Sequence, residues 1–251
     1  MVPTGELFAS PPGGDGLKRS IELFRSFLHE QSNPEHFYEL LARDSVRMVA
    51  EHCSLIDRTV LDVGAGPRQF GESFLEAGAR YIALDHDIEA LDPLGLAGSG
   101  GIAGSGEELP VRSASLDITF SSNVVEHVPN PERLLNEMVR VTRPGGLIVA
   151  AYTNWLSPWG GHETSPFHYL GGDRAVARYR VKHGHPPKNL IGRTLYRTSV
   201  QQGLTWARRV SNAELLDARP RYYPGWARGI LRVPAVREVL TWNLWLVLRR
   251  L

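Results

Sequence analysis

Short apolar runs alternate with amphipathic stretches through most of the chain. Residues 59–63 and 147–152 are largely apolar runs, whereas the apolar positions in 33–50 recur at the three- and four-residue spacing of a helix. Strands that alternate with helices indicate parallel strand–helix–strand units. We therefore predict an α/β fold in which a doubly wound, mostly parallel, seven-stranded sheet carries helices on both faces.

The same pattern gives approximate limits for each element. Strands are expected at 59–63, 81–84, 116–121, 147–152, 213–218 and 241–248, with a weak further strand inside the glycine-rich stretch 95–106. Helices are expected at 17–30, 68–77, 88–91, 131–142 and 225–237, and another begins at Ser32-Asn33-Pro34.

These elements predict one domain over residues 17–251, preceded by a Pro- and Gly-rich flexible tail at 1–16. N-terminal helices at 17–54 come before a core at 58–153, and residues 200–251 complete the sheet. Residues 154–199 break the alternation and are rich in Trp, Gly, His, Pro and Arg. We predict that this segment, called the insertion below, follows the fifth strand at the carboxyl edge of the sheet.

The strongest local signal is the segment Val60-Leu61-Asp62-Val63-Gly64-Ala65-Gly66-Pro67. It combines an apolar strand with an acidic residue near its end, two glycines in a tight turn, and Pro at a helix start. Ligands of open α/β sheets bind outside the carboxyl ends of the strands, and glycine lets the backbone approach them closely. Gln69 stands where a dinucleotide-binding turn has its third glycine, so the dinucleotide fingerprint is incomplete.

Asp85 ends the second predicted strand, 23 residues after Asp62. A carboxylate at this place can accept hydrogen bonds from both hydroxyls of a ribose. NAD and S-adenosylmethionine both carry a ribose, so Asp85 alone does not choose between the two cofactors.

Further segments follow in a fixed order: Glu107-Glu108-Leu109-Pro110 with Ser115-Leu116-Asp117, then Ser122-Asn123-Val124-Val125-Glu126-His127-Val128, then Val141-Thr142-Arg143-Pro144-Gly145-Gly146. Together with the glycine turn, they resemble class I S-adenosylmethionine-dependent methyltransferases of the branch that includes quinone-biosynthesis methyltransferases. The resemblance covers about residues 55–155. The whole chain, including residues 155–170, also resembles small methyltransferases linked to mycolate-type cell-envelope lipids.

The resemblance implies S-adenosylmethionine as the cofactor and a role for each matching position. Asp62, Gly64, Ala65 and Gly66 would line its methionine part, Asp85 with His86 would hold the ribose, Ser105, Gly106 and Glu107 would flank the adenine, and Asn123 with Val124 would close the pocket. Two positions depart from the family pattern. Ser105 stands where Asp is usual, and Arg68 stands where a further Gly is common.

The candidate catalytic residues lie after the fourth and fifth strands. They are His127 in the Glu126-His127 pair, and His162, Glu163 and His168 in the insertion. Each could act as a base or hydrogen-bond the acceptor, while a structural role is at least as common for such residues. The spacing of His162, Glu163 and His168 matches no recognised ligand pattern, and Cys53 is the chain's one cysteine, so we expect no metal site.

The charge is distributed unevenly. Residues 1–167 contain 12 Lys/Arg and 23 Asp/Glu, whereas residues 168–251 contain 16 Lys/Arg and 4 Asp/Glu. Such a split favours an anionic partner for the C-terminal part, although a solvated basic face explains it equally well. We expect methyl transfer to an oxygen of an anionic small-molecule, lipid or glycolipid acceptor in cell-envelope metabolism, rather than to nucleic acid.

The chain has no secretory signal and no apolar run of the roughly 18–20 residues that a transmembrane helix needs. We therefore expect a cytoplasmic protein with peripheral contact to the inner face of the membrane. Two other functions stay open: an NAD-dependent short-chain oxidoreductase, disfavoured by Gln69 and by the absence of a Tyr-x-x-x-Lys pair, and a catalytically silent, cofactor-binding regulatory protein. The oligomeric state cannot be predicted.

Overall fold

The computed structural model describes residues 16–29, 33–67, 69–91 and 101–251, without the side chains of Ile88 and Ala90. Eight helices are described: α1 (Leu17–Leu28), α2 (Pro34–Ala50), α3 (Gly71–Glu76), α4 (Ile88–Leu91), α5 (Pro131–Val141), α6 (Gly172–His183), α7 (Val200–Arg209) and α8 (Pro234–Leu240). The seven described strands are β1 (Thr59–Val63), β2 (Arg80–Asp85), β3 (Gly101–Ala103), β4 (Leu116–Ser122), β5 (Thr142–Thr153), β6 (Ala213–Pro220) and β7 (Asn243–Arg250).

The strands form one sheet in the order β3-β2-β1-β4-β5-β7-β6. β1 to β5 are parallel, and β7 runs antiparallel to both β5 and β6. The predicted fold is confirmed. The strand order reverses between β1 and β4, which is where ligands of open α/β sheets bind.

Each face of the sheet packs against its own helices. One core joins alternate strand residues such as Val63 and Tyr152 to α5 and α7. The other joins Val60, Phe120 and Trp245 to α1, α2 and α3. Because successive side chains of a strand point to opposite faces, buried parallel strands need apolar residues at nearly every position.

Local signals define where several helices begin. The Asn33 side chain accepts a hydrogen bond from the His36 amide, and Pro34 is the first residue of α2. Ser199 and Gln202 form a reciprocal capping box at the start of α7. Such caps satisfy amide groups that have no partner within the helix.

Four elements differ from the sequence prediction. Helix α7 was not predicted, and the expected helix at 225–237 is a 3₁₀ helix, Gly225–Arg232, followed by α8. β5 begins five residues earlier than expected, because Thr142 already pairs with Leu116. The insertion contains α6 and two 3₁₀ helices, His162–Thr164 and Phe167–Leu170. The tail at 1–15, Arg68 and the first half of the stretch at 95–106 lie outside the described residues.

No helix in the described part of the chain is long and apolar enough to cross a membrane.

Asp117 connects three segments at the amino edge of the sheet. Its Oδ2 accepts a hydrogen bond from the Thr59 amide at 2.8 Å, its Oδ1 accepts one from Arg58 at 3.1 Å, and Arg143 forms a close ion pair with it. Partial burial alone would raise the pKa of Asp117, but these hydrogen bonds and charges outweigh it and hold the pKa below its ordinary value.

We expect Asp117→Asn to lower the free energy of unfolding by about 1–3 kcal/mol at neutral pH, because it weakens these charge-assisted bonds. A depressed carboxyl pKa stabilises the fold above the unfolded value of about 4, and this stabilisation is lost as the pH falls below it. The difference in unfolding free energy between the wild type and Asp117→Asn should therefore be smaller in acid than at pH 7. Urea unfolding at pH 7 and in acid measures it, with the exposed Asp173→Asn as control. A deficit that persists in acid would contradict the charge argument.

Candidate active site

The glycine turn after β1 is held against the end of β2. The amides of Gly64 and Ala65 both donate to the Leu84 carbonyl oxygen, at 2.7 and 3.0 Å. Gly64 and Gly66 have φ angles of 78° and 48°, in the left-handed region that glycine enters without strain. The turn therefore keeps one defined shape at the carboxyl edge of the sheet.

Val124, just beyond β4, covers Gly64. A Cβ added at Gly64 would lie 2.7 Å from Val124 Cγ1 and closer still to Cγ2, so no side chain fits there. At Gly66 a Cβ would have no atom of the described residues within 4 Å. The turn is thus packed on its Gly64 side and open at Gly66, which leaves the backbone accessible to a ligand. This open backbone fits the predicted approach of a cofactor.

Asp62 lies beneath the turn and is only 1% exposed. The Tyr81 hydroxyl donates a 2.6 Å hydrogen bond to its Oδ2. Burial raises the pKa of Asp62 to about 7, since the hydrogen bond from Tyr81 offsets only part of that effect and the charge of Asp85 adds to it. The carboxyl group is therefore poised to change charge near neutral pH.

Asp85 stands at the end of β2, beside the turn. Its Oδ2 accepts a hydrogen bond from the Gly66 amide at 2.9 Å, and its Oδ1 accepts one from the Asp87 amide at 3.0 Å. His86 Nδ1 lies 3.0 Å from Oδ1, while the His86 side chain is largely exposed. Asp85 therefore shapes the turn, and its carboxylate retains further lone pairs for a ligand.

The residues predicted to flank adenine form a tight bend after β3. Ser105 Oγ accepts a hydrogen bond from the Glu107 amide at 3.2 Å. A Cβ at Gly106 would lie 2.9 Å from Leu134 Cδ1, so this position is packed against α5. The Glu107 carboxylate accepts a hydrogen bond from the Asn130 amide, near the start of α5. Arg133 Nε also donates to the Glu107 carbonyl oxygen at 2.8 Å, so the bend is tied to α5 by its backbone as well.

Asn123 follows β4 with φ at 58°, which Asn tolerates better than most residues. Its amide donates to the Ala151 carbonyl oxygen at 2.7 Å, and its side-chain oxygen accepts a hydrogen bond from Asn243 at 2.8 Å. These contacts fix the backbone direction at Asn123, and the side chain of the next residue, Val124, then covers Gly64.

Glu126, His127 and His162 come together just after Val124, with side-chain atoms within 4.8 Å of one another. The rings of His127 and His162 have centroids 5.0 Å apart, although 35 residues separate them along the chain. Glu126 is 1% exposed, and its burial raises the pKa of the carboxyl group. Burial, assisted by His127 and His168, lowers the pKa of His162 to about 3. This trio is called the polar cluster below.

The other two candidate bases lie outside the polar cluster. Both Glu163 carboxylate oxygens accept hydrogen bonds from Asn189 at 3.1 Å, which ties the two ends of the insertion together. His168 is buried, with Nε2 3.0 Å from the Trp155 carbonyl oxygen and its ring 4.0 Å from that of Tyr169. Their contacts are those of residues that stabilise the insertion.

Aromatic side chains pack on one another next to the segment that carries His162, whose amide donates to the Trp159 carbonyl oxygen. Trp159 packs edge-on against Phe27 of α1 and against Trp242, with centroids 4.9 and 6.0 Å apart. Trp242 also contacts Phe24 and Tyr223. Helix α1 thereby lies against the carboxyl edge of the sheet.

Comparison with known proteins assigns the family. Residues 61–150 match the model of a methyltransferase domain. An uncharacterized methyltransferase of Mycobacteroides abscessus is 50% identical over 246 residues, covering 93% of this chain and 94% of that protein. Another, from Mycolicibacterium gilvum, is 48% identical over 243 residues with the same coverage. The chain belongs to this methyltransferase family.

Solved structures show the same fold at low sequence identity. An S-adenosylmethionine-dependent methyltransferase from Mesorhizobium loti is 19% identical, with a TM-score of 0.57 over 82% of this chain and 96% of that one. The [4+2]-cyclase SpnF is 18% identical, with a TM-score of 0.52 over 83% and 80%. The predicted S-adenosylmethionine-dependent methyltransferase is confirmed, and nothing in the comparisons favours an oxidoreductase.

Sequence reasoning missed several residues that shape the methyltransferase's site. Tyr81 lies at the start of β2 and gave no signal that it bonds to Asp62. Asn243 contacts Asn123 only because β7 pairs beside β5. Glu126 was named as the neighbour of His127 but not as a site residue, although apolar residues on both sides of it indicate burial.

Gly64→Ala should weaken S-adenosylmethionine binding severely, because its methyl group would collide with Val124. Gly145→Ala is a matched control: its φ is also 78°, but nothing lies within 4 Å of the added Cβ. Both variants pay about 1–2 kcal/mol in backbone strain, so the control shows what such strain does when it lies away from the glycine turn, and the Val124 variant below tests the collision itself. Calorimetric titration measures the affinity. Adding Val124→Ala should restore part of it in the Gly64→Ala protein, and a control as impaired as Gly64→Ala would refute the collision.

Proposed function

We propose that this methyltransferase binds its cofactor on the glycine turn and methylates an oxygen of an anionic small molecule or lipid-linked acceptor, in cell-envelope metabolism. The observation that carries the proposal is the polar cluster, in which Glu126 and His127, just after Val124, meet His162 of the basic insertion. The bound cofactor supplies a methyl group that is already activated on a sulfonium.

The cofactor side of the proposal assigns each part of the turn a role. Asp62 would hold an ammonium group from below, and the amide-rich backbone at Gly64 to Gly66 would face the methionine part. Asp85 would accept hydrogen bonds from ribose hydroxyls while it keeps its contact with the Gly66 amide. Support comes from the open space at Gly66 and from the buried carboxyl group beneath it.

The acceptor side combines aromatic walls with the polar cluster. Trp159 and Trp242 offer apolar surfaces, while Glu126, His127 and His162 offer groups that hydrogen-bond an acceptor hydroxyl. Holding the acceptor oxygen in line with the cofactor would supply much of the catalysis, because positioning alone contributes roughly 7–11 kcal/mol in favourable systems.

The outer surface of the insertion supports an anionic partner. Within the described part of the chain, seven of its basic side chains are exposed and form no ion pair with a carboxylate: Arg174, Arg178, Arg180, Lys182, Lys188, Arg193 and Arg197. Leu170 and Val181 expose apolar side chains on the same segment, to 61% and 89%. Basic residues interspersed with exposed apolar ones are typical of segments that lie against an anionic lipid surface.

The affinity for S-adenosylmethionine should rise as the pH increases from about 6 to about 7.5, because Asp62, with its pKa of about 7, becomes a carboxylate that pairs with the cofactor's ammonium group. Asp62→Asn should abolish this rise. Tyr81→Phe removes a hydrogen bond that lowers the pKa, so the rise should move to higher pH. Calorimetric titration across pH measures all three proteins. An unchanged rise in Asp62→Asn would assign the ammonium site to another residue.

Reversing the charge of the insertion should prevent binding to anionic vesicles without changing cofactor affinity. We expect the triple variant Arg174→Glu, Arg178→Glu and Lys182→Glu to lose at least about tenfold in affinity for phosphatidylglycerol vesicles, since each basic residue near such a surface contributes about 1 kcal/mol. Salt should mimic the variant, because exposed charges are screened over about 8–10 Å. Vesicle sedimentation, run beside cofactor titration, measures both properties.

A matched control is a second triple variant, which makes the same charge change at the opposite edge of the sheet. Arg112, Arg208 and Arg249 are exposed and lie near the starts of β4 and β6 and the end of β7. Their replacement by Glu should leave vesicle binding much closer to that of the wild type. If both triple variants lose binding equally, net charge explains the effect and the insertion is not a lipid-binding surface.

A further inference from the structure

The polar cluster has the composition and closeness of a metal site. Glu126, His127 and His162 each offer one ligand atom, and all of these atoms lie within 4.8 Å of one another. Two imidazoles and one carboxylate form a ligand set of zinc enzymes, which leaves a further position open. No spacing along the chain reveals the set, because the third ligand comes from the insertion.

Two ligand atoms of the polar cluster have no hydrogen-bond partner among the described residues. Glu126 Oε2 and His162 Nε2 are both buried and unpaired. An unsatisfied buried polar group costs about 1–3 kcal/mol, and more when it carries a charge. A cation between these atoms would satisfy both of them at once.

In Glu126 and His127, the side-chain atom that would not bind the metal is already held by a hydrogen bond to the backbone. The Thr153 amide donates to Glu126 Oε1 at 2.9 Å, while the buried Oε2 has no partner among the described residues and is available as a ligand. His127 Nδ1 lies 2.6 Å from the Thr194 carbonyl oxygen. Because a carbonyl only accepts, Nδ1 must carry the hydrogen, and Nε2 keeps a lone pair. Metal-binding histidines are held in this way by backbone carbonyl groups.

The backbone at the third ligand is held in an unfavourable conformation. His162 has φ at 48°, in the left-handed region that a residue with a Cβ rarely adopts. Such strain of about 1–3 kcal/mol persists where the surroundings impose it, and it is common at functional sites. The His162 amide donates to Trp159 and its carbonyl oxygen accepts from Ser165, so the turn that carries this ring is well determined.

We propose that Glu126, His127 and His162 bind a divalent transition metal ion of the zinc type, with an open coordination position toward the acceptor. Mg²⁺ and Ca²⁺ fit less well, since they prefer oxygen ligands alone. Nitrogen and oxygen atoms about 2.0–2.1 Å from a tetrahedral zinc lie roughly 3.3 Å apart, so small rotations of the side chains close the site.

The place of this site in the fold gives the ion a role. Glu126 and His127 lie two and three residues after Val124, which covers Gly64, so the ion would sit one short helical turn away from the glycine turn. A metal-bound hydroxyl has a lowered pKa and ionises more readily at neutral pH. This role rests on the proposed oxygen acceptor, whereas metal binding itself does not.

The test is metal titration of protein first stripped with a chelator. Adding Co²⁺ should produce the visible absorption of a low-coordinate nitrogen- and oxygen-ligated centre, and this should saturate at one equivalent and disappear on adding Zn²⁺. His162→Ala and Glu126→Gln should each weaken binding by at least about tenfold, since even indirect partners of a metal contribute that much. Circular dichroism confirms that the variants fold.

The control variant is the double change His183→Ala and His185→Ala, which removes two exposed histidines elsewhere on the insertion. It should keep the one-equivalent site. No cobalt absorption in the wild-type protein, or equal binding by wild type and His162→Ala, would overturn the proposal. Titration with S-adenosylmethionine in the presence of chelator separates the two ideas, because cofactor binding should survive there even if the metal site does not exist.

Discussion

The close approach of the segment after β4 to the glycine turn constrains the rest of the site. Val124 occupies the volume in which a side chain at residue 64 would lie, so only glycine permits the contact. The turn cannot move away, because its amides are bonded to the Leu84 carbonyl oxygen. Glu126 and His127 continue from Val124 in one short helical turn. A few residues therefore fix the position of the polar cluster relative to the glycine turn.

Those parts of the fold that depend on local chemistry could be predicted from sequence. The limits of β1 were predicted without error, since a buried parallel strand is a short apolar run that ends at a glycine turn. The start of α2 was predicted from Asn33 and Pro34, which cap and begin the helix. The same reasoning located Gly64, whose neighbours along the chain define the turn.

Features that depend on distant contacts could not be predicted. Helix α7 contains Gly203, which lowers its helical propensity, yet that glycine packs so closely on Tyr152 that a Cβ would not fit. The pairing of His127 with His162 has the same origin. The Tyr196 amide donates to the Glu126 carbonyl oxygen and brings the insertion back over the end of β4. Neither contact leaves a periodic signal in the sequence.

The surfaces that we propose for the acceptor lie mostly outside the residues that match the methyltransferase domain. The methyltransferase domain match ends at residue 150, before the insertion begins, and a [4+2]-cyclase shares the same architecture. A fold that supports different reactions cannot by itself specify the acceptor. What can specify it are the surfaces added to the carboxyl edge. The insertion contributes Trp159 and His162, and α1 contributes Phe27, which contacts Trp159 directly. Under the proposed function, acceptor choice would depend on how α1 and the insertion pack together, whereas cofactor binding would depend on the glycine turn beneath Val124.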